Sequence, residues 1–203
     1  MTTETIDTPR GPARAELHCA AEGRAALLLG HGAGGGIGAP DLVAATRGAT
    51  AAGVHVALVE QPYRVAGRRA PAPSGQLDEA WLAVVDDLAD RWFAELPLVF
   101  GGRSSGARVA CRTAAEGDAV AVLCLAFPLH PPGKPEKTRQ PELDGVEVPV
   151  LVVQGEKDTF GRPEPAHHRE VVLLAGDHSL KADVPGVCQA VQEWLARVLR
   201  PLD

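Results

Sequence analysis

The chain has 203 residues, 45% of them hydrophobic and 23% charged, a balance that predicts one folded domain over 1–203 and excludes a disordered, weakly hydrophobic segment. Lys and Arg number 20 against 26 Asp and Glu, a formal net charge of −6, so no general cationic field gathers phosphate backbones and no nucleic acid partner is expected. No apolar run approaches the ~18–20 residues that cross a bilayer. The polar, acidic start Met1-Thr-Thr-Glu-Thr-Ile-Asp7 has no apolar core of a secretion signal, so a cytoplasmic protein with no membrane association is expected.

Residues 1–16 read as a flexible or edge segment, with a short edge strand around Leu17. After it, short runs rich in Val and Leu at 25–29, 54–59, 98–100, 120–125, 150–153 and 171–174 have the apolar character of strands covered on both faces. Helical periodicity falls between them, roughly over 42–52, 77–95, 105–116 and 184–199, with Leu77, Trp81, Val84, Val85 and Leu88 on one apolar face. Such alternation predicts an α/β fold: a mostly parallel central sheet with helices on both faces. Two stretches, 64–75 and 127–145, are broken by proline and glycine and read as loops. The second is long enough to be functional or mobile.

The strand ending at Phe100 runs into Gly101-Gly-Arg-Ser-Ser-Gly-Ala-Arg108 and then a helix, which places the pattern GxSxG on a strand-to-helix turn. A serine there is held in a strained conformation with its hydroxyl lifted off the sheet, and the helix that follows directs free N–H groups at a developing oxyanion. Ser104 is the candidate nucleophile. A Gly-rich turn that merely packs a helix against the sheet is the plain structural alternative.

A serine hydroxyl needs a base, and the base needs an orienting acid. Asp158 stands four positions beyond Gln154, and His178 four beyond Leu174. Both therefore hang past the carboxyl ends of predicted parallel strands, where open α/β sheets bind ligands. Asp158 is expected to hold the tautomer of His178, which serves as base and then as acid. Taken singly, each residue is equally well a loop polar group or a cap. Asp177 and Glu156 are rival acids, but Asp177 is bonded in sequence to the histidine and has an awkward path to its ring.

Gly30-His-Gly-Ala-Gly-Gly-Gly-Ile-Gly38 follows the first central strand. Its unobstructed backbone offers N–H donors, and Ala33, with Gly34 as an alternative, pairs with Ser105 as a candidate oxyanion hole. The same segment satisfies GxGxxG, and Glu60 lies 25 positions beyond Gly35, so a dinucleotide site is a competing reading. Against it, Gly36, Gly38 and Pro40 push the helix start to about Asp41, and the other three elements go unexplained.

Taken together, the HGAGG-type loop, the GGRSxGxR turn and the tail Gly155-Glu-Lys-Asp158 … Ala175-Gly-Asp-His178 resemble an α/β-hydrolase, of the small, lidless, dienelactone-hydrolase-like branch, over about 25–200. The resemblance implies a three-layer α/β-hydrolase fold without a lid domain, Ser104 as nucleophile, Asp158 as acid, His178 as base, and Ala33 and Ser105 as oxyanion donors. It implies no cofactor. Dienelactone hydrolases proper use cysteine where this chain has Ser104, so lactone opening is not carried over.

Elsewhere, Cys19, Cys111, Cys124 and Cys188 form no CxxC pair and read as buried free thiols. Adjacent His167 and His168 have no further ligand at metal spacing, so no metal is expected. His130 is placed near the border of the site. Lys134, Lys137 and Arg139 suit a solvated loop, while Arg103 and Arg108 suit structural ion pairs. Trp81, Trp92 and Trp194 are expected in the core. The sequence thus predicts a serine hydrolase of a small-molecule ester with an open, shallow site; a hydrolase-like interaction module with an idle triad is the alternative of a different class.

Overall fold

The computed structural model describes residues 2–200. The six apolar runs become the parallel strands β3 (Ala26–Gly30), β4 (His55–Glu60), β5 (Leu98–Arg103), β6 (Ala121–Leu125), β7 (Val150–Gly155) and β8 (Arg169–Leu174). The amino-terminal segment supplies two further strands, β1 (Thr2–Ile6) and β2 (Ala13–His18), which extend the sheet antiparallel beside β4. Sheet order is β1-β2-β4-β3-β5-β6-β7-β8. The amino-terminal residues are thus a paired hairpin and not a flexible tail. Ile6, Ala13, Ala15 and Leu17 bury their side chains while their neighbours face outward, the period-2 pattern of a half-covered edge.

Helices α1 (Pro40–Ala51) and α6 (Val184–Val198) cover one face; α3 (Ser74–Arg91), α4 (Ser105–Thr113) and α5 (Gln140–Asp144) cover the other. Alternation along the strands feeds both layers. Leu27 and Leu29 of β3 join Leu42, Val187 and Trp194, whereas Ala26 and Leu28 join Trp81, Phe100 and Val109. Trp81 meets Phe100 edge-on at 5.7 Å, a favoured aromatic geometry. On the opposite face α1 crosses α6 so closely at Gly48 that a side chain there would strike the carbonyl of Cys188.

Short helices that periodicity cannot register adjoin or interrupt both proline-broken stretches: α2 (Pro62–Val65) runs into the start of the first, and α5 lies inside the second. After β6, where an inserted lid would leave the sheet, the described residues hold only α5 and its flanking turns. α3 ends at Arg91, and Trp92 lies 40% exposed beyond it, so two of the three tryptophans, Trp81 and Trp194, reach the core. Cys111 and Cys124 are buried, but Cys19 is exposed and Cys188 half-buried, which corrects the expectation for those two thiols. Among the described residues no helix is long and apolar enough to cross a membrane.

Candidate active site

Three close backbone approaches shape the turn after β5. A Cβ on Gly102 would lie 2.6 Å from both the carbonyl carbon of Gly106 and the carbonyl oxygen of Gly30, and one on Gly106 would strike Gly30 as well. Glycine at both positions lets the start of α4 press against β3. Between them Ser104 is forced to φ 51 and ψ −107, a region that L-residues avoid. Its side chain makes no capping bond to α4, which leaves the hydroxyl free for another partner.

The Ser104 hydroxyl lies 2.9 Å from Nε2 of His178, and Nδ1 of His178 lies 2.7 Å from Oδ2 of Asp158. A carboxylate only accepts, so the proton sits on Nδ1 and Nε2 is left to accept from the serine. The Asp158 carboxylate is fully shielded from solvent, while the His178 ring keeps 18% of its surface exposed. Oδ1 of Asp158 accepts from the Phe160 N–H at 2.8 Å, and Oδ2 accepts a second bond from Nε2 of Gln154 at 2.7 Å. Phe160 stacks on the imidazole with ring centroids 4.2 Å apart. The structure therefore brings Ser104, His178 and Asp158 into one hydrogen-bonded chain. The rival carboxylate of Asp177 instead accepts from the backbone and hydroxyl of Ser179, which hold its pKa down.

The oxyanion-loop candidates flank this chain. Ser105 opens α4, where N–H groups lack intrahelical partners. Gly32 packs on the nucleophile, since a Cβ there would be 3.7 Å from that of Ser104. The Gly32 carbonyl accepts from Nδ1 of His31 at 2.8 Å and from the Gly35 N–H at 3.1 Å, and Nε2 of His31 accepts from the Gln61 N–H. A trans peptide holds its N–H and C=O on opposite sides, so anchoring this carbonyl also sets the direction of the Ala33 N–H. The Ala33 carbonyl in turn accepts from the Tyr63 hydroxyl at 2.9 Å. Burial holds the His31 imidazole below its ordinary pKa, consistent with a neutral ring that donates at one nitrogen and accepts at the other.

A cavity of about 520 Å³ opens beside these groups, with Gly34, Pro40, Asp41, Arg103, Ser179 and Lys181 among its walls. Arg103 precedes Ser104 and Ser179 follows His178, so the cavity adjoins the nucleophile and the base.

Other candidates fall elsewhere. The glycine run makes turns, with Gly35 N–H bonded to Gly32 and Ala39 N–H to Gly36, and α1 begins only at Pro40. A dinucleotide fingerprint needs the helix to open within the glycines, and Glu60 faces Arg14 at 3.5 Å. His130 approaches Gly161, just beyond Phe160. Arg108 forms a bidentate pair with Glu142 of α5. Among the described residues no group of three or more His, Cys, Asp or Glu side chains is arranged to hold a metal.

Sequence reasoning missed Gln154, Phe160, Tyr63 and the buried pairing of Arg103 with Asp41. Gln154 carried a readable signal, a lone polar residue at the end of the apolar run Val150-Leu-Val-Val153. Phe160 and Tyr63 carried none, because a single aromatic residue outside the periodic apolar runs is commonplace.

A family model described as an alpha/beta hydrolase domain matches residues 23–195. Among curated proteins none matches the chain. Solved structures share its fold at low identity. An α/β serine hydrolase without a lid from Xanthomonas campestris is 19% identical, with 100% of this chain and 96% of that one aligned and a TM-score of 0.76. Est1E from Butyrivibrio proteoclasticus is 18% identical over 98% and 99% of the two chains, with a TM-score of 0.78. Dienelactone hydrolase from Anabaena variabilis is 18% identical over 98% of each, with a TM-score of 0.76.

Proposed function

This chain belongs to the alpha/beta hydrolase domain family, and we propose that it is a serine hydrolase that cleaves a small ester through an acyl-enzyme on Ser104. The reading rests above all on the unbroken path from the Ser104 hydroxyl through the His178 ring to the buried Asp158 carboxylate.

Nε2 of His178 accepts the hydroxyl proton as Ser104 Oγ bonds to the ester carbonyl carbon. The carbonyl oxygen becomes the oxyanion, held by the N–H groups of Ser105 and Ala33, each such donor contributing about 2.7–4 kcal/mol in known sites. His178, now cationic and flanked by Asp158, gives its proton to the leaving alkoxide, and the alcohol departs. Water then loses a proton to the same nitrogen and adds to the acyl carbon; collapse returns the proton to Ser104 and releases the acid. Ester and water become acid and alcohol, with no cofactor in the balance.

Small substrates suit the open cavity beside Arg103 and the connection between β6 and β7, which holds the five-residue α5 and no lid domain to enclose a long acyl chain. The serine hydrolase and the dienelactone hydrolase that share the fold make carbonyl substrates the natural class to try first.

Fluorophosphonate labelling with mass mapping tests the reading, with folded Ser104→Ala and His178→Ala proteins as controls. An adduct at Ser104 that both variants lose is the expected result. A folded wild type that takes no adduct would overturn the enzymatic assignment and leave the fold as an interaction module.

A further inference from the structure

We propose that Arg103 is a positioning residue which, paired with Asp41, holds the oxyanion loop, the nucleophile turn and the base loop in mutual register; this rests on the hydrolase reading above. Arg103 is the last residue of β5, covalently attached to Ser104, and its side chain is 19% exposed. Its guanidinium makes contacts in three directions. Nε lies 2.8 Å from Oδ2 of Asp41, at the start of α1. Nη2–H donates to the carbonyl of His178 at 3.2 Å. Nη1 presses on Gly32, where a Cβ would come within 2.7 Å of it.

These contacts span the segments that carry the nucleophile, the base and both oxyanion donors of the proposed reaction. Gly32 precedes the Ala33 donor, Arg103 precedes the nucleophile, and His178 is the base itself. A hydrogen bond to the backbone of His178 fixes where its ring starts, while Asp158 fixes which way the ring faces. The glycine at 32 is also explained, since any side chain there would displace the guanidinium.

Asp41 anchors the arrangement. It is fully buried, with Oδ1 accepting from the Leu42 N–H at 3.0 Å and Oδ2 facing the arginine. Burial raises its pKa and the charge of Arg103 opposes that rise, so each ion depends on the other. A planar, multi-donor fork suits these divergent contacts, and a lysine ammonium on its flexible stem does not.

The test compares wild type with Arg103→Lys, which keeps a cation near Asp41, and with Arg103→Met/Asp41→Leu, which removes both charges together. Steady-state hydrolysis of p-nitrophenyl acetate and amide hydrogen exchange over 31–38 and 176–181 are measured on each folded protein. The expected result is a roughly 10- to 100-fold fall in kcat with little change in KM, as small misplacements of reacting groups produce. Faster exchange in those two loops, with β7 unchanged, should accompany it.

If the double variant folds and keeps wild-type kcat and wild-type exchange, the proposal is overturned, and Arg103 is a structural ion pair only. A rise in KM at unchanged kcat also overturns it, in favour of direct substrate contact. Should wild type neither hydrolyse esters nor take a fluorophosphonate, the hydrolase reading fails by itself. Loop exchange then decides the positioning role: faster exchange in both loops of the double variant supports it, and unchanged exchange rejects it.

Discussion

Gly102 and Gly106 lie so near one another that a Cβ on the first would stand 2.6 Å from the carbonyl carbon of the second, nearer than real Cβ atoms come. The obstacle is backbone on both sides, since Gly30 lies equally close, and neither can swing aside like a flexible side chain. Gly102→Ala should therefore destabilise by about 1–3 kcal/mol through overpacking. For a chain of this size that is a fall of about 3–10 °C in Tm. It should also reduce fluorophosphonate labelling, because the displaced backbone carries Ser104. A melt within one degree of wild type would contradict the packing described.

Strain at Ser104 makes a prediction of opposite sign. Holding a non-glycine residue at φ 51 and ψ −107 costs about 1–3 kcal/mol, and glycine at that position relieves the cost. Glycine also adds about 0.4–1 kcal/mol of unfolded-chain entropy, so the net gain is about 1 kcal/mol. Ser104→Gly should melt about 2–4 °C above wild type while losing all ester hydrolysis. Ser104→Ala, which keeps a Cβ, should gain much less stability. Equal melting of the two variants would remove strain as the explanation.

Asp158→Asn probes the path between acid and base. The carboxylate accepts three N–H groups, from Gln154 and His178 at Oδ2 and from Phe160 at Oδ1, whereas an amide must turn its own NH2 either toward Phe160 or toward Gln154 and the ring together. At least one buried donor loses its acceptor at a cost of about 1–3 kcal/mol. If the amide faces the ring, the imidazole takes the wrong tautomer, and kcat should fall by about 10⁴, as for the equivalent change in serine proteases. Circular dichroism checks the fold, and single-turnover hydrolysis reads the loss.

His31 gives stability a pH dependence. Burial holds its pKa below 6.5 in the folded protein, against the Gly32 carbonyl and the charge of Glu60, which favour protonation, and with Arg64, which disfavours it. Unfolded His31 takes up a proton near pH 6.5, whereas the folded ring stays neutral until a lower pH. The unfolded chain thus binds more protons in that window. The contribution of His31 to stability is complete above pH 6.5 and is lost as pH falls through the depressed folded value. Protonation would also place a donor against the Gln61 N–H. Between pH 7.5 and 5.5, Tm should fall more in wild type than in His31→Gln, whose side-chain oxygen can still accept that N–H. Parallel curves would assign the dependence to other groups.

Much of this architecture is local in origin. Runs such as Ala25-Ala-Leu-Leu-Leu29 and Val150-Leu-Val-Val153 declare buried strands by themselves, and the five-residue turn around Ser104 carries its own geometry in its glycines. Chain order then places Asp158 and His178 beyond strand ends, since each motif lies within a few residues of the strand that positions it. The edge hairpin was only half legible because a half-buried edge leaves no continuous apolar run. α5 was hidden because five residues with a proline show no period.

What no window of sequence contains is proximity between residues far apart in the chain. His178 meets Ser104 across 74 positions, and Arg103 meets the His178 carbonyl across 75. Motif order predicted the first encounter, while the second was visible only after folding. The reason is physical: a helix or strand is selected by interactions repeating every two to four residues, and one sequence window holds them all. The burial of Asp41, its pairing with Arg103 and the neutral ring of His31 depend on how much water the packed layers exclude, a property of the whole fold and of no segment.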